Sequence, residues 1–307
     1  MMKAVITGGA GFIGHNTALF LRGHGYEVVA FDNLERATGL AQERLRAQGV
    51  PLSKGDILRT HDLDKVLEGA DVVVHAAAYI SVEESVRKPA LYFRNNVAGT
   101  ASVAQACLRR GVKRIIYLSS AAVYGDPRAL PISESCPTRP ISPYGLSKLM
   151  GEEIVKFFSG QGLNYIVLRL FNVYGLGQSI AYAGVIARFM EKISKGKPPT
   201  IYGDGQQTRD FIHVQDVAEA IKLSIEARTA NETFNIASGK PTKIAELANI
   251  ITGLVGSSLK PKHIKPKAGD IKHSYADISK AQRLLGFAPK ISLEQGLLDL
   301  IKFYPNN

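Results

Sequence analysis

Residues Thr7–Gly14, TGGAGFIG, join a short β-branched run, KAVITG, to an amphipathic stretch, HNTALFLRGHG. Gly8, Gly11 and Gly14 satisfy G-x-x-G-x-x-G, and Gly9, Gly11 and Gly14 satisfy G-x-G-x-x-G. The physics is the same in either register. One glycine permits the tight turn, one lets the backbone approach a pyrophosphate, and the last lets helix and strand pack closely. The helix N-terminus then supplies N–H donors and a positive dipole to the anion. A glycine motif alone is weak. Here the next strand-like run, EVVAFD, ends in Asp32, 18 residues beyond Gly14, and that context completes a dinucleotide-binding βαβ fingerprint. Asp32 accepts hydrogen bonds from ribose hydroxyls and repels a 2′-phosphate, so the expected cofactor is NAD rather than NADP. Arg36 is expected to be a solvated loop arginine.

The alternation continues. ADVVVHAAA, VKRIIYLSS and LNYIVLRLFNVYG read as buried strands, and PALYFRNNVAGTASVAQACLRRG and YGLSKLMGEEIVKFFSGQG as helices between them. Buried apolar runs alternating with helices predict an α/β fold: a Rossmann-type doubly wound parallel sheet with helices on both faces. After about residue 175 the rhythm loosens. KGKPPTIYGDGQQTRDF reads as loops around one strand, VQDVAEAIKLSIEAR as a helix, and PTKIAELANIITGLVG as a helix with Thr242 at its N-cap and Glu246 in its first turns. The expected division is a dinucleotide-binding domain at residues 1–172, with a returning segment near 211–228, and a smaller C-terminal α/β lobe for substrate at 173–307.

Composition narrows the class. The 307 residues are 45% hydrophobic, too many for a disordered chain, and no run approaches the roughly 20 apolar residues that span a bilayer. MMKAVITGG enters a strand directly, without the apolar core of a signal peptide. Two cysteines, Cys107 and Cys136, exclude a disulfide framework and a four-cysteine zinc site. The expectation is a cytoplasmic protein without membrane partners. The net charge of +11 divides into +5 for residues 1–150 (18 basic, 13 acidic) and +6 for the remainder (20 basic, 14 acidic). Nucleic-acid binders concentrate such charge on one face or arm, so no nucleic-acid partner is expected. Diffuse charge suits small polyanions, and equally a merely soluble surface.

Tyr144 and Lys148 stand at i and i+4 in YGLSK, on one face of a helix. Ammonium beside phenol favours the phenolate, which predicts a Tyr144 pKa lowered toward working pH. Such a base removes a hydroxyl proton while hydride leaves the same carbon. The strand IIYLSS ends at Ser119–Ser120, where a doubly wound sheet puts its chemistry. His75 and His213 read as structural, and no His/Asp/Glu/Cys cluster has metal-site spacing.

TGGAGFIG, SSAAVYG, YGLSK and LRLFNVYG together resemble the extended short-chain dehydrogenase/reductase family. IYGDGQQTRDFIHVQDVA and GDIKHSYADISKAQRLLGF resemble its nucleotide-sugar branch, nearest to the UDP-galactose and other UDP-hexose 4-epimerases. The likeness implies Ser120, Tyr144 and Lys148 as the catalytic triad. Phe12 and Ile13 would cover the pyrophosphate, Asp32 and Asn33 hold the adenosine ribose, and Asp56 and Ile57 flank adenine. Ala76, Ala77, Ala78 and Asn95 would line the dinucleotide, with Lys148 and Phe171 at the nicotinamide end. On the substrate side, Asn172 and Arg209 would bind the diphosphate, Tyr202 lie against uracil, and Asp270 take the uridine ribose. Lys267 stands where the family commonly has arginine, keeping the charge but losing the fork. The resemblance places Ser274 against the sugar C2 substituent, and a small residue there is associated with tolerance of N-acetyl groups.

The implied activity is NAD-dependent C4 epimerisation of UDP-hexoses through a transient 4-keto sugar. Two alternatives stay open: a net nucleotide-sugar reductase, and a catalytically idle NAD-binding regulator. Ala121–Ala122 replace the acidic pair with which dehydratases of this fold expel water. Surplus apolar positions on the helices around 91–110 and 145–160 imply a homodimer.

Overall fold

The computed structural model describes residues 1–178, 184–266, 269 and 271–303. The first half runs β1 (Lys3–Thr7), α1 (Phe12–Gly23), β2 (Glu27–Asp32), α2 (Gly39–Ala47), β3 (Leu52–Lys54), α3 (Thr60–Val66), β4 (Val72–His75), α4 (Val82–Arg87), α5 (Pro89–Tyr92), α6 (Gly99–Arg109), β5 (Arg114–Ser120) and α7 (Pro143–Ser159). Then follow β6 (Asn164–Leu170), β7 (Asn172–Tyr174), α8 (Val185–Ser194), β8 (Thr200–Tyr202), β9 (Thr208–His213), α9 (Val214–Glu226), β10 (Glu232–Ile236), β11 (Pro241–Lys243), α10 (Ile244–Leu254), β12 (Lys262–Ile264), β13 (His273–Ser274), α11 (Ser279–Leu285) and α12 (Leu293–Ile301).

Seven strands form one parallel sheet in the order β10-β6-β5-β4-β1-β2-β3. Successive side chains alternate between two cores. Ala4, Ile6, Val72, Val74, Ile116 and Leu118 face one side, where Ala18 and Leu21 of α1 and Val217 and Ile221 of α9 pack. Val5, Val73, Ile115 and Tyr117 face the other, against Leu63 of α3, Val103 of α6 and Val155 of α7. That two-sided burial is why the strands read as continuous apolar runs. From β1 the chain winds one way to β2 and β3 and the other way to β4, β5 and β6, so a crevice opens at the carboxyl ends of β1 and β4.

The remaining strands build the second lobe. β9 pairs with β11, β13 and β7, while β8 pairs with β12. Phe189, Ile201, Phe211, Leu247, Ile251 and Leu297 fill its core. Three sequence readings need correction here. The segment read as loops around one strand contributes both β8 and the start of β9. Thr242 does not cap α10; it lies in β11 opposite Arg209, and the helix starts at Ile244 with Glu246 in its first turn. Glu232–Ile236, assigned from the sequence to the C-terminal lobe beyond the returning segment near 211–228, belongs instead to the main sheet as its seventh strand beside β6. Among the described residues, no helix is long and apolar enough to cross a membrane, and no cluster of His, Cys, Asp and Glu is arranged to hold a metal.

Candidate active site

The glycine turn is braced from both neighbours. Gly9 N–H donates to the Phe31 carbonyl at 3.1 Å, and Gly11 N–H to the Gly8 carbonyl at 2.9 Å. Gly8 has φ +66°, and a Cβ on it would come within 2.7 Å of the Ala77 backbone. A Cβ on Gly14 would overlap the Gly8 carbonyl oxygen. The turn therefore presents bare backbone at the start of α1, whose first N–H groups have no partner inside the helix. Asp32 closes the arrangement, accepting from Ala10 N–H at 3.0 Å and Leu34 N–H at 2.8 Å. Burial pushes its carboxyl up, against those two hydrogen bonds.

Two cavities flank this turn. Gly8, Gly11, Asp32, Asn33, Asp56 and Ile57 wall the first, together with Ala76, Ala77, Ala78 and Asn95. Phe12, Ile13, Gly14, Ser120, Tyr144, Lys148 and Phe171 meet in the second, of about 300 Å³. Asn95 reaches its place because Phe93–Ala98 is a π-helical turn that joins α5 to α6 within one long helix. Such turns recur at functional sites. The neighbouring Asn96 bonds both backbone groups of Tyr79 and the Ser147 hydroxyl. His75 is structural as expected, buried between the hydroxyls of Thr7 at 2.7 Å and Thr100 at 3.0 Å. His213 caps α9 through Gln215 N–H.

Helix α7 begins with Ser142, whose hydroxyl accepts from Gly145 N–H at 3.1 Å, and Pro143 in the first turn. A Cβ on Gly145 would lie 2.6 Å from the Ala122 carbonyl oxygen, and one on Gly151 would overlap the Tyr117 hydroxyl. The two glycines let the helix approach the end of β5, which brings Tyr144 and Ser120 to the wall of one cavity. Lys148 is 4% exposed, and its ammonium stands 4.4 Å from the Tyr117 ring centroid.

The electrostatics differ from the sequence expectation. Burial is the dominant effect on Tyr144 and pushes its phenol up, with the Ser120 hydrogen bond pulling the other way. Burial likewise brings Lys148 down to about 7, against the opposing charge of Glu152. Glu152 was not found from the sequence. It lies one turn beyond Lys148, fully buried, accepting from Ser119 Oγ at 2.5 Å and from Arg169 Nε at 3.0 Å and Nη2 at 2.7 Å. Its i, i+4, i+8 spacing with Lys148 and Tyr144 was the available signal. Arg36 is also not the solvated residue expected. It forks onto Glu84 at 2.8 and 3.1 Å and lies 3.7 Å above the Tyr79 ring.

A third cleft lies in the second lobe. Asn172, Tyr202 and Arg209 line it, joined by Arg188 of α8 and Gln207, which the sequence reading missed. Tyr202 is 43% exposed on β8, and Asn172 donates to the Asp210 carbonyl. Ser274 pairs with Arg209 across β13 and β9, half-buried, and does not itself wall the cleft. Lys267 and Asp270 lie outside the described residues.

A sequence profile of the NAD-dependent epimerase/dehydratase family matches residues 4–237. The chain belongs to that family. Its cofactor is NAD, and the bare glycine turn with Asp32 beside it fits that group. The UDP-glucose 4-epimerase of Mycolicibacterium smegmatis is 33% identical over 314 residues, covering 99% of each chain. The solved UDP-glucose 4-epimerase of Thermotoga maritima, with UDP-glucose, is 35% identical with a TM-score of 0.93, covering 99% of this chain and 98% of that one. A UDP-N-acetylglucosamine 4-epimerase of Methanobrevibacter ruminantium, in complex with UDP-N-acetylmuramic acid, is 36% identical at the same TM-score and coverage.

Proposed function

We propose that the protein inverts C4 of UDP-hexoses, plain and N-acetylated, with NAD regenerated in each cycle. The observation that carries this is the meeting of Ser120, Tyr144 and Lys148 in one cavity with the first turn of α1. In this reading Gly8, Gly11, Phe12, Ile13 and Gly14 hold the pyrophosphate, Asp32 and Asn33 the adenosine ribose, and Asp56 and Ile57 the adenine. Ala76, Ala77, Ala78 and Asn95 line the dinucleotide, and Lys148 and Phe171 its nicotinamide end. Asn172, Arg209 and Lys267 bind the diphosphate, Tyr202 the uracil, Asp270 the uridine ribose, and Ser274 faces the C2 substituent.

Held by the glycine turn, Asp32 and Asn33, NAD would supply the hydride acceptor for C4 and the donor that restores it on the opposite face. The rest is done by the chain. Tyr144 takes the proton of the 4-hydroxyl and later returns it. Ser120 hydrogen-bonds the same oxygen and steadies the phenolate. Lys148, in its charged form, favours that phenolate over the phenol. The 4-keto sugar turns over between the two transfers, while the nucleotide stays anchored in the second lobe.

The test is product analysis from UDP-galactose and UDP-N-acetylglucosamine, with the absorbance of reduced nicotinamide followed throughout. Interconversion of 4-epimers without net reduction is expected. Stoichiometric NADH production or consumption would make the protein a net oxidoreductase, and no turnover with NAD bound would make it a regulator.

The same reading includes a homodimer. Leu146, Met150 and Phe157 of α7 are 40%, 41% and 70% exposed, and with Ala101 of α6 and Ile154 they line an apolar groove. A second copy of the same helix pair would cover this groove in a four-helix contact. Sedimentation is expected to give a dimer, and a concentration-independent monomer rejects it.

A further inference from the structure

Strand order makes one contact mechanically unusual. The sheet runs β4-β1-β2, so the segments that follow β2 and β4 emerge on either side of the glycine turn that follows β1. Strands two places apart are separated by roughly 10 Å. Yet the two flanking segments touch. From the segment after β2, Arg36 forks onto Glu84 of α4, Nη1 to Oε2 at 2.8 Å and Nη2 to Oε1 at 3.1 Å. Its guanidinium also lies 3.7 Å over the ring of Tyr79, in the segment after β4. Glu35 adds a second crossing, accepting from the Tyr79 hydroxyl at 2.6 Å. Arg36 walls both cavities that flank the turn, as Gly8 and Gly11 do, so the bridge crosses where the two cavities join.

Glu84 is built to hold this bridge shut. Its Oε2 also accepts from the Tyr92 hydroxyl at 3.0 Å, and Ser81 caps its helix through Glu84 N–H at 3.1 Å. A bidentate guanidinium–carboxylate pair fixes direction as well as distance. Glu84 itself walls neither cavity. Its influence on a ligand there runs through Arg36.

We propose that Glu84 is a positioning residue for the cofactor: it holds Arg36 across the glycine turn, so that the bridge of Arg36, Tyr79 and Glu84 must open before NAD leaves the crevice. The proposal rests on the reading of that crevice as the NAD site. It gives the carboxylate a kinetic role separate from chemistry at Tyr144.

The experiment measures release of labelled NAD from the holoenzyme into excess unlabelled NAD. Glu84→Gln keeps the shape and removes the charge, and release is expected to quicken about ten- to hundredfold, the worth of one charge-assisted fork. Wild-type release should quicken with ionic strength far more than that of the variant. Arg36→Gln breaks the same pair from the other side, and the double variant should release NAD no faster than Arg36→Gln alone. Release within twofold of wild type in Glu84→Gln, or effects that multiply in the double variant, overturns the role of Glu84 and leaves the crevice assignment standing. A wild-type protein that binds no NAD overturns both.

Discussion

Lys148→Met should make the NAD-free protein more stable while abolishing turnover. The lysine is 4% exposed, and burial brings it from 10.5 down to about 7. At ~1.4 kcal/mol per pH unit, that fall corresponds to about 5 kcal/mol of lost stability, with the charge of Glu152 already offsetting part of the burial cost. The sign depends on pH. Below pH 7 the lysine is charged in both folded and unfolded chains, and the folded state bears the whole cost of burying it. Between 7 and 10.5 only the unfolded chain holds the proton, so stability rises with pH and the cost fades. Methionine keeps an unbranched apolar stem and carries no charge. The expected gain is about 3–5 kcal/mol at pH 6 and about 2 kcal/mol at pH 9. Urea unfolding followed by far-UV circular dichroism at the two pH values measures it, since the chain has no tryptophan. A variant no more stable than wild type at pH 6, or a gain equal at both pH values, refutes the reasoning.

Tyr144→Phe removes the proton acceptor, so turnover should fall by about 10²–10⁴-fold with NAD still bound, as measured by kcat and by NAD content after gel filtration. Asp32→Ala removes both a ribose acceptor and a negative charge; the ratio of NAD to NADP affinity should shrink, and an unchanged ratio would show that Asp32 does not face the ribose. Ser274→Tyr places a ring beside Arg209 and should suppress turnover of UDP-N-acetylglucosamine while sparing UDP-galactose, because overpacking penalises the larger sugar. Equal loss on both sugars would remove Ser274 as the gate.

What could be read from the sequence is what local geometry encodes. The glycine turn and Asp32 are joined by one βαβ unit, and each glycine answers to a backbone approach within a few residues or to the adjacent strand. Tyr144 and Lys148 are one helical turn apart, and Ser120 ends a strand. What escaped was encoded over distance. Glu84 meets Arg36 from 48 residues away, and Arg169 meets Glu152 from 17, with no periodic pattern linking either pair. The π-helical turn at Phe93–Ala98 breaks helical phase without a proline or glycine inside it to announce it. Thr242 satisfied the capping preference but was taken by pairing with β9, an instance of tertiary structure overriding local propensity. The Tyr144 phenol went up rather than down because the spacing that brings an ammonium close also takes both groups out of water.

The same burial explains why Glu152 sits where it does. A carboxylate bonded directly to Lys148 would hold its proton at or above the ordinary lysine range and fix the charge permanently. A lysine equally buried with no carboxylate near it would fall below about 7. Glu152 takes a middle course. Its two oxygens are committed to Arg169 and Ser119, so much of its charge is spent locally, and what reaches Lys148 one turn away raises it only part of the way back. The lysine is thereby left near neutrality, where an anion forming at Tyr144 can draw its proton into place and loss of that anion can release it. Breaking the buried pair with Arg169 disturbs both parts of this arrangement at once: the anchorage of α7 against β6, and the field that sets the lysine's charge.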